Sequence, residues 1–233
     1  KAAVSRLKTY IESSTSTSLN DLTDALVEDN SLYVGNDPSS TTNTAQYNVA
    51  VGTTALDAIT AGDYNTAVGN EALTKNTTGS YNTASGLNAL YDNTTGDYNT
   101  ASGVNALYEN TTGDYNTAIG ADALEDNTQG ALNTAVGHEA LKNNRTGDGN
   151  IGLGYRAAYA LQGGDYNIAI GYDADFNGNN ATNSIVIGKS ANGRGSNTVT
   201  LGNSDVTAVY MASDASATVY AEGLNLGGTA VSS

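Results

Sequence analysis

Between Tyr47 and Gly202 one short phrase is written ten times, and it leaves this chain few folds to choose from. Its clearest copy is Tyr64-Asn65-Thr66-Ala67-Val68-Gly69. The closing glycines stand at 52, 69, 86, 103, 120, 137, 154 and 171, always seventeen residues apart. Measured on the asparagine, two shorter steps of sixteen and fourteen then carry the phrase through Asn183 to Gly188 and through Asn197 to Gly202. A strict period of this length is the signature of stacked coils, in which each repeat contacts only its neighbours. Seventeen residues are too few for a helix pair and suit two short strands joined by two turns. The expectation is an all-β chain: a parallel β-roll or β-solenoid of about ten 14–17-residue coils. At a strand spacing of about 4.8 Å, ten coils make a stack roughly 48 Å long.

Within a coil, Asn-Thr-Ala-Val-Gly reads as the first strand, by its alternation of branched and small residues. Ala72-Leu73 opens the second half-coil, and Asn76-Thr77-Thr78-Gly79 is the second turn, repeated at Asn93–Gly96 and Asn110–Gly113. Asn and Gly accept the left-handed backbone of a tight corner. No proline interrupts residues 47–202, so no ladder donor is removed there. Alternation gives one face an alanine column (Ala50, Ala67, Ala84 and onward) and the other face branched columns headed by Val49 and Val51. The first branched column runs as Thr66, Thr83, Thr100, Thr117 and Thr134, then turns to Ile at 151, 168 and 185. That change points to an interior, or to a partner chain, on its side. Coils this small bury little alone, so several chains are expected to pack together.

Three further columns bear on function. Asn65, Asn82, Asn99 and Asn116 belong to an amide ladder read as unbroken from Asn48 to Asn197, and stacked amides bond up and down a column. Tyr64, Tyr81, Tyr98 and Tyr115 form an aromatic column beside it, suited to ring stacking or to docking a sugar face. Tyr91 and Tyr108, in the other turn region, are the preferred candidates for glycan contact. Asp63, Asp97, Asp114, Asp148 and Asp165 share one position, as backbone caps or as ligands for a hard cation; caps are favoured. The Asn-x-Thr triplets at Asn76, Asn93 and Asn110 are turn chemistry before they are glycosylation sites. The lone histidine, His138, is matched to the position of Asn70, Asn88 or Asp122 and taken as a surface residue.

Composition excludes more than it identifies. The net charge of −15 argues against a nucleic-acid partner. The absence of cysteine removes disulfide and thiol chemistry. No apolar run reaches transmembrane length, so no membrane insertion is expected. No zinc spacing, phosphate loop or dinucleotide fingerprint occurs, and the chain is expected to have no cofactor and no enzymatic role.

Outside the repeats the chain divides into residues 1–30, 31–202 and 203–233. In the first part Val4, Leu7 and Ile11 fall at helical steps, as a coiled-coil seam or a terminal helix, and Leu19, Leu22 and Leu26 allow the helix to continue. Leu32-Tyr33-Val34-Gly35 reads as a first strand. The last part, with alternation around Val206, Val209 and Met211, reads as a β cap or a transition to a following domain.

Asn183-Ser184-Ile185-Val186-Ile187-Gly188 and Asn197-Thr198-Val199-Thr200-Leu201-Gly202 resemble the head repeat of trimeric autotransporter adhesins of the YadA type. Residues 203–211 and 217–226 are similar to chains of bacteriophage tail fibres and tail spikes. These resemblances imply a homotrimeric fibre, located on a virion or a bacterial surface, that binds a host cell-surface glycan or protein. The phage resemblance also implies a self-cleaving chaperone domain beyond Ser232 and Ser233. An adhesin head, an ice-binding solenoid and an enzyme-bearing spike are the alternatives.

Overall fold

The computed structural model describes residues 25–28, 30–35 and 44–207. The chain forms two compact units, Lys1–Asn203 and Ser204–Ser233. Of the second, residues 204–207 are described, and all four are exposed.

The first unit is built on one twelve-stranded sheet whose strands lie in sequence order. They are β1 (Ala25–Glu28), β2 (Ser31–Val34), β3 (Val49–Val51), β4 (Thr66–Val68), β5 (Thr83–Ser85) and β6 (Thr100–Ser102). Then come β7 (Thr117–Ile119), β8 (Thr134–Val136), β9 (Ile151–Leu153), β10 (Ile168–Ile170), β11 (Ile185–Ile187) and β12 (Val199–Leu201). From β2 onward every strand pairs in parallel with the next, like residue over like residue: Thr83 on Thr100, Ala84 on Ala101, Ser85 on Ser102. The chain is therefore an all-β solenoid in which each copy of the phrase forms one rung.

Register corrects the phase of the last copies. β10 pairs with β11 through Ile168 and Ile185, seventeen residues apart, so only the last step, Ile185 to Val199, is short. Ser184, not Asn183, follows Asn167 in the amide column: its N–H donates to Asn167 Oδ1 at 3.0 Å. Asn183 and Asn197 sit instead in the tyrosine column and bond to each other at 2.9 Å. Aligning the phrase on its asparagine misled because that residue had moved one place along.

Each coil has one strand, not two. The second half-coil is a run of turns, with Asn88 and Leu90 at φ 57° and 54°. With left-handed residues at alternate positions, Ala89 O and Tyr91 O both turn toward the preceding rung. Successive rungs can then still bond: Leu73 N–H reaches Ala89 O at 3.0 Å and Lys75 N–H reaches Tyr91 O at 3.1 Å. Such a backbone costs about 1–3 kcal/mol per non-glycine residue and persists only where its surroundings over-determine it. Here the identical neighbours above and below supply that determination.

The interior is thin. Alanines of the strand column (Ala84, Ala101, Ala118) meet the Ala-Leu pairs of the turn half (Ala89-Leu90, Ala106-Leu107), all fully buried. The branched columns point outward: β3 to β6 each alternate exposed, buried, exposed. The interior placement considered for the Thr-to-Ile column is therefore wrong for this chain: a period of two sets the flanking residues opposite the middle one, and it is the middle alanine that faces in. Glycine closes the strand because two rungs nearly touch there. Gly86 has φ 143°, and a Cβ on it would lie 2.3 Å from the carbonyl oxygen of Gly103.

At the N-terminal end β1 pairs antiparallel with β2, Ala25 opposite Val34, and occupies the outer edge of the sheet. The helix expected to continue through Leu26 is thus replaced by a strand at Ala25–Glu28. A covered edge is one way to prevent indefinite strand addition. The helix expected at residues 1–12 and the strands expected beyond Ala208 lie outside the described residues.

Candidate functional site

Two amide ladders run through the core. In the first, from Asn48 to Asn167, each Oδ1 accepts the backbone N–H of the next asparagine, as from Asn99 to Asn82 at 2.9 Å. Each Nδ2 donates to the carbonyl fourteen residues on, a turn glycine from Asn48 to Asn150, as from Asn99 to Gly113 O at 2.8 Å, and Ala181 for Asn167. Asn65, Asn82, Asn99 and Asn116 are fully buried. The second ladder is Asn76, Asn93, Asn110, Asn127 and Asn144, of which the first three stand in the sequence as turn residues. Each of these Nδ2 groups donates to the glycine three residues on, and from Asn93 onward also to the preceding asparagine's Oδ1. Its constant period was the available signal. With the amides of Asn76, Asn93 and Asn110 buried and bonded, these triplets are not accessible for glycosylation in the folded chain.

The aspartate column caps backbone. Asp97 Oδ1 accepts Ser80 N–H at 2.7 Å, Asp114 accepts Asp97 N–H at 2.7 Å, and Asp148 accepts Ala131 N–H at 2.7 Å. Each carboxylate thus serves the rung before its own.

Tyr47, Tyr64, Tyr81, Tyr98 and Tyr115 stack with ring centroids 4.7–4.9 Å apart and planes within 10°. That spacing is the rung height, so stacking is a direct result of the repeat. Each ring's faces are covered by its neighbours along the column, and its edge meets solvent. Within this stack the Tyr64 and Tyr98 hydroxyls are shifted above the ordinary phenol range, first by lost hydration and then by the adjacent rings.

Tyr91 and Tyr108 form a separate pair, 5.1 Å apart and 7° from parallel. Both are half-buried, less open than the long column. Lys75 Nζ lies 4.7 Å from the Tyr91 ring centre and pairs with Asp92. One side of Tyr91 thus carries a cation and the other carries Tyr108. The next residue in this column is Glu125, so Tyr108 ends the stack. Beside it opens a groove of about 260 Å³ lined by Asn88, Asn105, Tyr108 and Glu125. Of these only Tyr108 was anticipated. The asparagines and the glutamate were hidden in a half-coil read as a plain strand.

The groove's polar groups form an oriented relay. Asn88 Nδ2 donates to Asn105 Oδ1 at 3.0 Å, and Asn105 Nδ2 donates to Asp122 Oδ1 at 3.1 Å. Lys142 reaches Glu125 at 2.5 Å, and this bond raises the lysine's pKa above its usual range. Asn88 Oδ1, at the head of the relay, is buried without a hydrogen-bond partner.

One rung further, Asp122, His138 and Glu139 place ligand-type atoms within 4.8 Å of one another. Arg156 lies 3.5 Å and Lys142 3.9 Å from the Glu139 carboxylate, so basic side chains already balance it. His138 is exposed and stacks on Tyr155 at 5.5 Å. It shares a column with Asn70, Val104 and Tyr155, while Asn88 and Asp122 belong to the neighbouring column. Among the described residues no helix is long and apolar enough to cross a membrane.

The chain matches no family model, and neither a curated protein nor a solved structure shows significant similarity to it.

Proposed function

We propose that this chain is one strand of a homotrimeric fibre whose solenoid supplies reach and stiffness at a cell or particle surface. Within that class, we read it as part of a bacteriophage tail fibre that carries or performs attachment to the host surface; a bacterial trimeric adhesin head is the close alternative. The observation that carries the proposal is the outward sheet face. From β7 onward one outward column reads Ile119, Val136, Leu153, Ile170, Ile187 and Leu201. The column beside it becomes Ile151, Ile168, Ile185 and Val199. Several of these are openly exposed, Val199 at 64% and Leu201 at 47%. A continuous apolar strip on a core this thin is what a partner chain would cover. The number three rests on the resemblance to trimeric fibres.

The test is the mass of the purified chain in solution by light scattering, before and after heating. Three chain masses, retained on heating, support the proposal. A lone monomer overturns it. Ile168→Lys with Ile170→Lys should then dissociate the assembly, because two charges per chain would be buried unpaired.

Ice binding is the second reading, favoured by one observation. Thr66, Thr83 and Thr100 are exposed in register, one per rung. Thermal hysteresis in solution would support it.

A further inference from the structure

We propose that the groove between Asn88, Asn105, Tyr108 and Glu125 binds one ring of a neutral glycan. This rests on the surface-attachment reading above and assigns it a place on the chain.

Three features select the ligand. First, the relay from Asn88 through Asn105 to Asp122 has a fixed direction, because an ionised carboxylate can only accept. Each amide therefore commits one Nδ2 hydrogen downstream, and Asn88 Oδ1 stays an acceptor with no donor facing it. A buried polar atom without a partner is costly, so an opening of the groove that lets a ligand hydroxyl donate to it gains more than an ordinary surface contact. Second, Tyr108 ends its stack: Tyr91 covers one face, and Glu125 follows in the column. The ring's other face is an apolar wall for the C–H groups of a pyranose, whose two sides alternate between C–H and hydroxyl. Third, the lining favours neutral ligands. Asp122 supplies negative charge, and beside it the Glu125–Lys142 ion pair is neutral overall. A sialic acid or uronate would meet like charge, whereas a neutral sugar brings the donors the groove lacks.

The size agrees. Small-molecule sites commonly span about 300–1,000 Å³. At about 260 Å³, open on one side, this groove has room for a single ring with the remaining glycan outside.

The experiment applies the full chain to a glycan array of neutral and anionic oligosaccharides, followed by saturation-transfer NMR on any neutral glycan that binds. The mass of the same sample is measured alongside. Binding of neutral glycans, with anionic counterparts at least tenfold weaker, is expected. Asn88→Leu, of similar size but without the acceptor, should weaken binding about tenfold, the effect of one good hydrogen bond. Glu125→Gln should keep neutral binding and relax the discrimination against anionic sugars. Tyr64→Ala, in the other column, should leave binding unchanged. A blank array, with no saturation transfer to the array's neutral oligosaccharides tested free in solution, overturns the proposal, as does neutral binding untouched by both Asn88→Leu and Tyr108→Ala. If Asn88→Leu fails to fold, Glu125→Gln and Tyr108→Ala still decide. A trimeric mass with no glycan binding removes the groove assignment and leaves the fibre reading intact; a monomeric mass removes the fibre reading whatever the array shows.

Discussion

Replacing Asn99 by alanine tests whether the buried amides hold the stack together. The side chain makes two bonds: Oδ1 accepts Asn116 N–H at 2.9 Å, and Nδ2 donates to Gly113 O at 2.8 Å. Gly113 O keeps a second donor in Asn110 Nδ2 at 3.0 Å, so its loss is partial. Asn116 N–H is left buried with no partner. An orphaned buried donor costs about 1–3 kcal/mol and a lost ordinary hydrogen bond about 1 kcal/mol, so Asn99→Ala should lose about 2–4 kcal/mol. For a chain of this size that corresponds to a fall in Tm of roughly 5–15 °C. Differential scanning calorimetry gives the total. Hydrogen exchange gives the place: Asn116 N–H should exchange much faster, while Asn82 N–H, bonded to Asn65 Oδ1, should change little. Thr100→Ala, on the outward column next door, should stay within about 0.5 kcal/mol of the parent if the chain is not covered there. A loss below about 1 kcal/mol for Asn99→Ala, with Asn116 protection unchanged, would refute the role given to the ladder.

Other perturbations probe other parts of the coil. Leu107→Ala should lose about 2–5 kcal/mol in denaturant unfolding, toward the upper end because rungs fixed by their neighbours cannot collapse into the cavity. Gly103→Ala should be worse tolerated than Leu107→Ala, since its Cβ would stand 2.4 Å from Gly120 O; the readouts are soluble yield and Tm. Asp175 is held above the ordinary aspartate range, chiefly by burial, with backbone N–H groups of Phe176 and Ala160 opposing. The folded chain therefore takes up this proton more readily than the unfolded one. Its contribution is most favourable below the ordinary pKa and is lost as pH rises through the raised one. Asp175→Asn should remove that slope, seen as pH-independent protection of the Ala160 amide, whose N–H donates to this side chain.

Much of this was legible because the chain repeats itself. Identical residues at a fixed interval had to lie above one another, and that fixed the parallel register of β3 to β10 before any coordinate was known. The Tyr64–Tyr115 stack followed from the same interval. What failed did so for local reasons. Leu73 and Leu90 look like strand residues, but their left-handed backbone is set by the rungs on either side, which propensity does not weigh. Asn93 and Asn110 look like exposed turn residues, yet the turn folds inward and pairs them. Asn183 carries the identity of the ladder but the place of the tyrosines. Glu125 belongs to the groove only because it follows Tyr108 in its column, a relation visible once the second half-coil has its true shape.

The serines at the two ends of the first amide ladder give the fold a modular length. Ser31 Oγ accepts Asn48 N–H at 2.9 Å at the start, and Ser184 takes the last amide oxygen at the finish. Between them the same backbone N–H to Oδ1 bond recurs at every junction. Residues 82–98 and 99–115 differ only at 87 against 104 and at 92 against 109. Recombination between such near-copies in the gene would add or delete whole rungs, each about 4.8 Å high, without disturbing either terminator. A lineage carrying this chain can thus lengthen or shorten the stack in discrete steps while every surviving contact keeps its geometry.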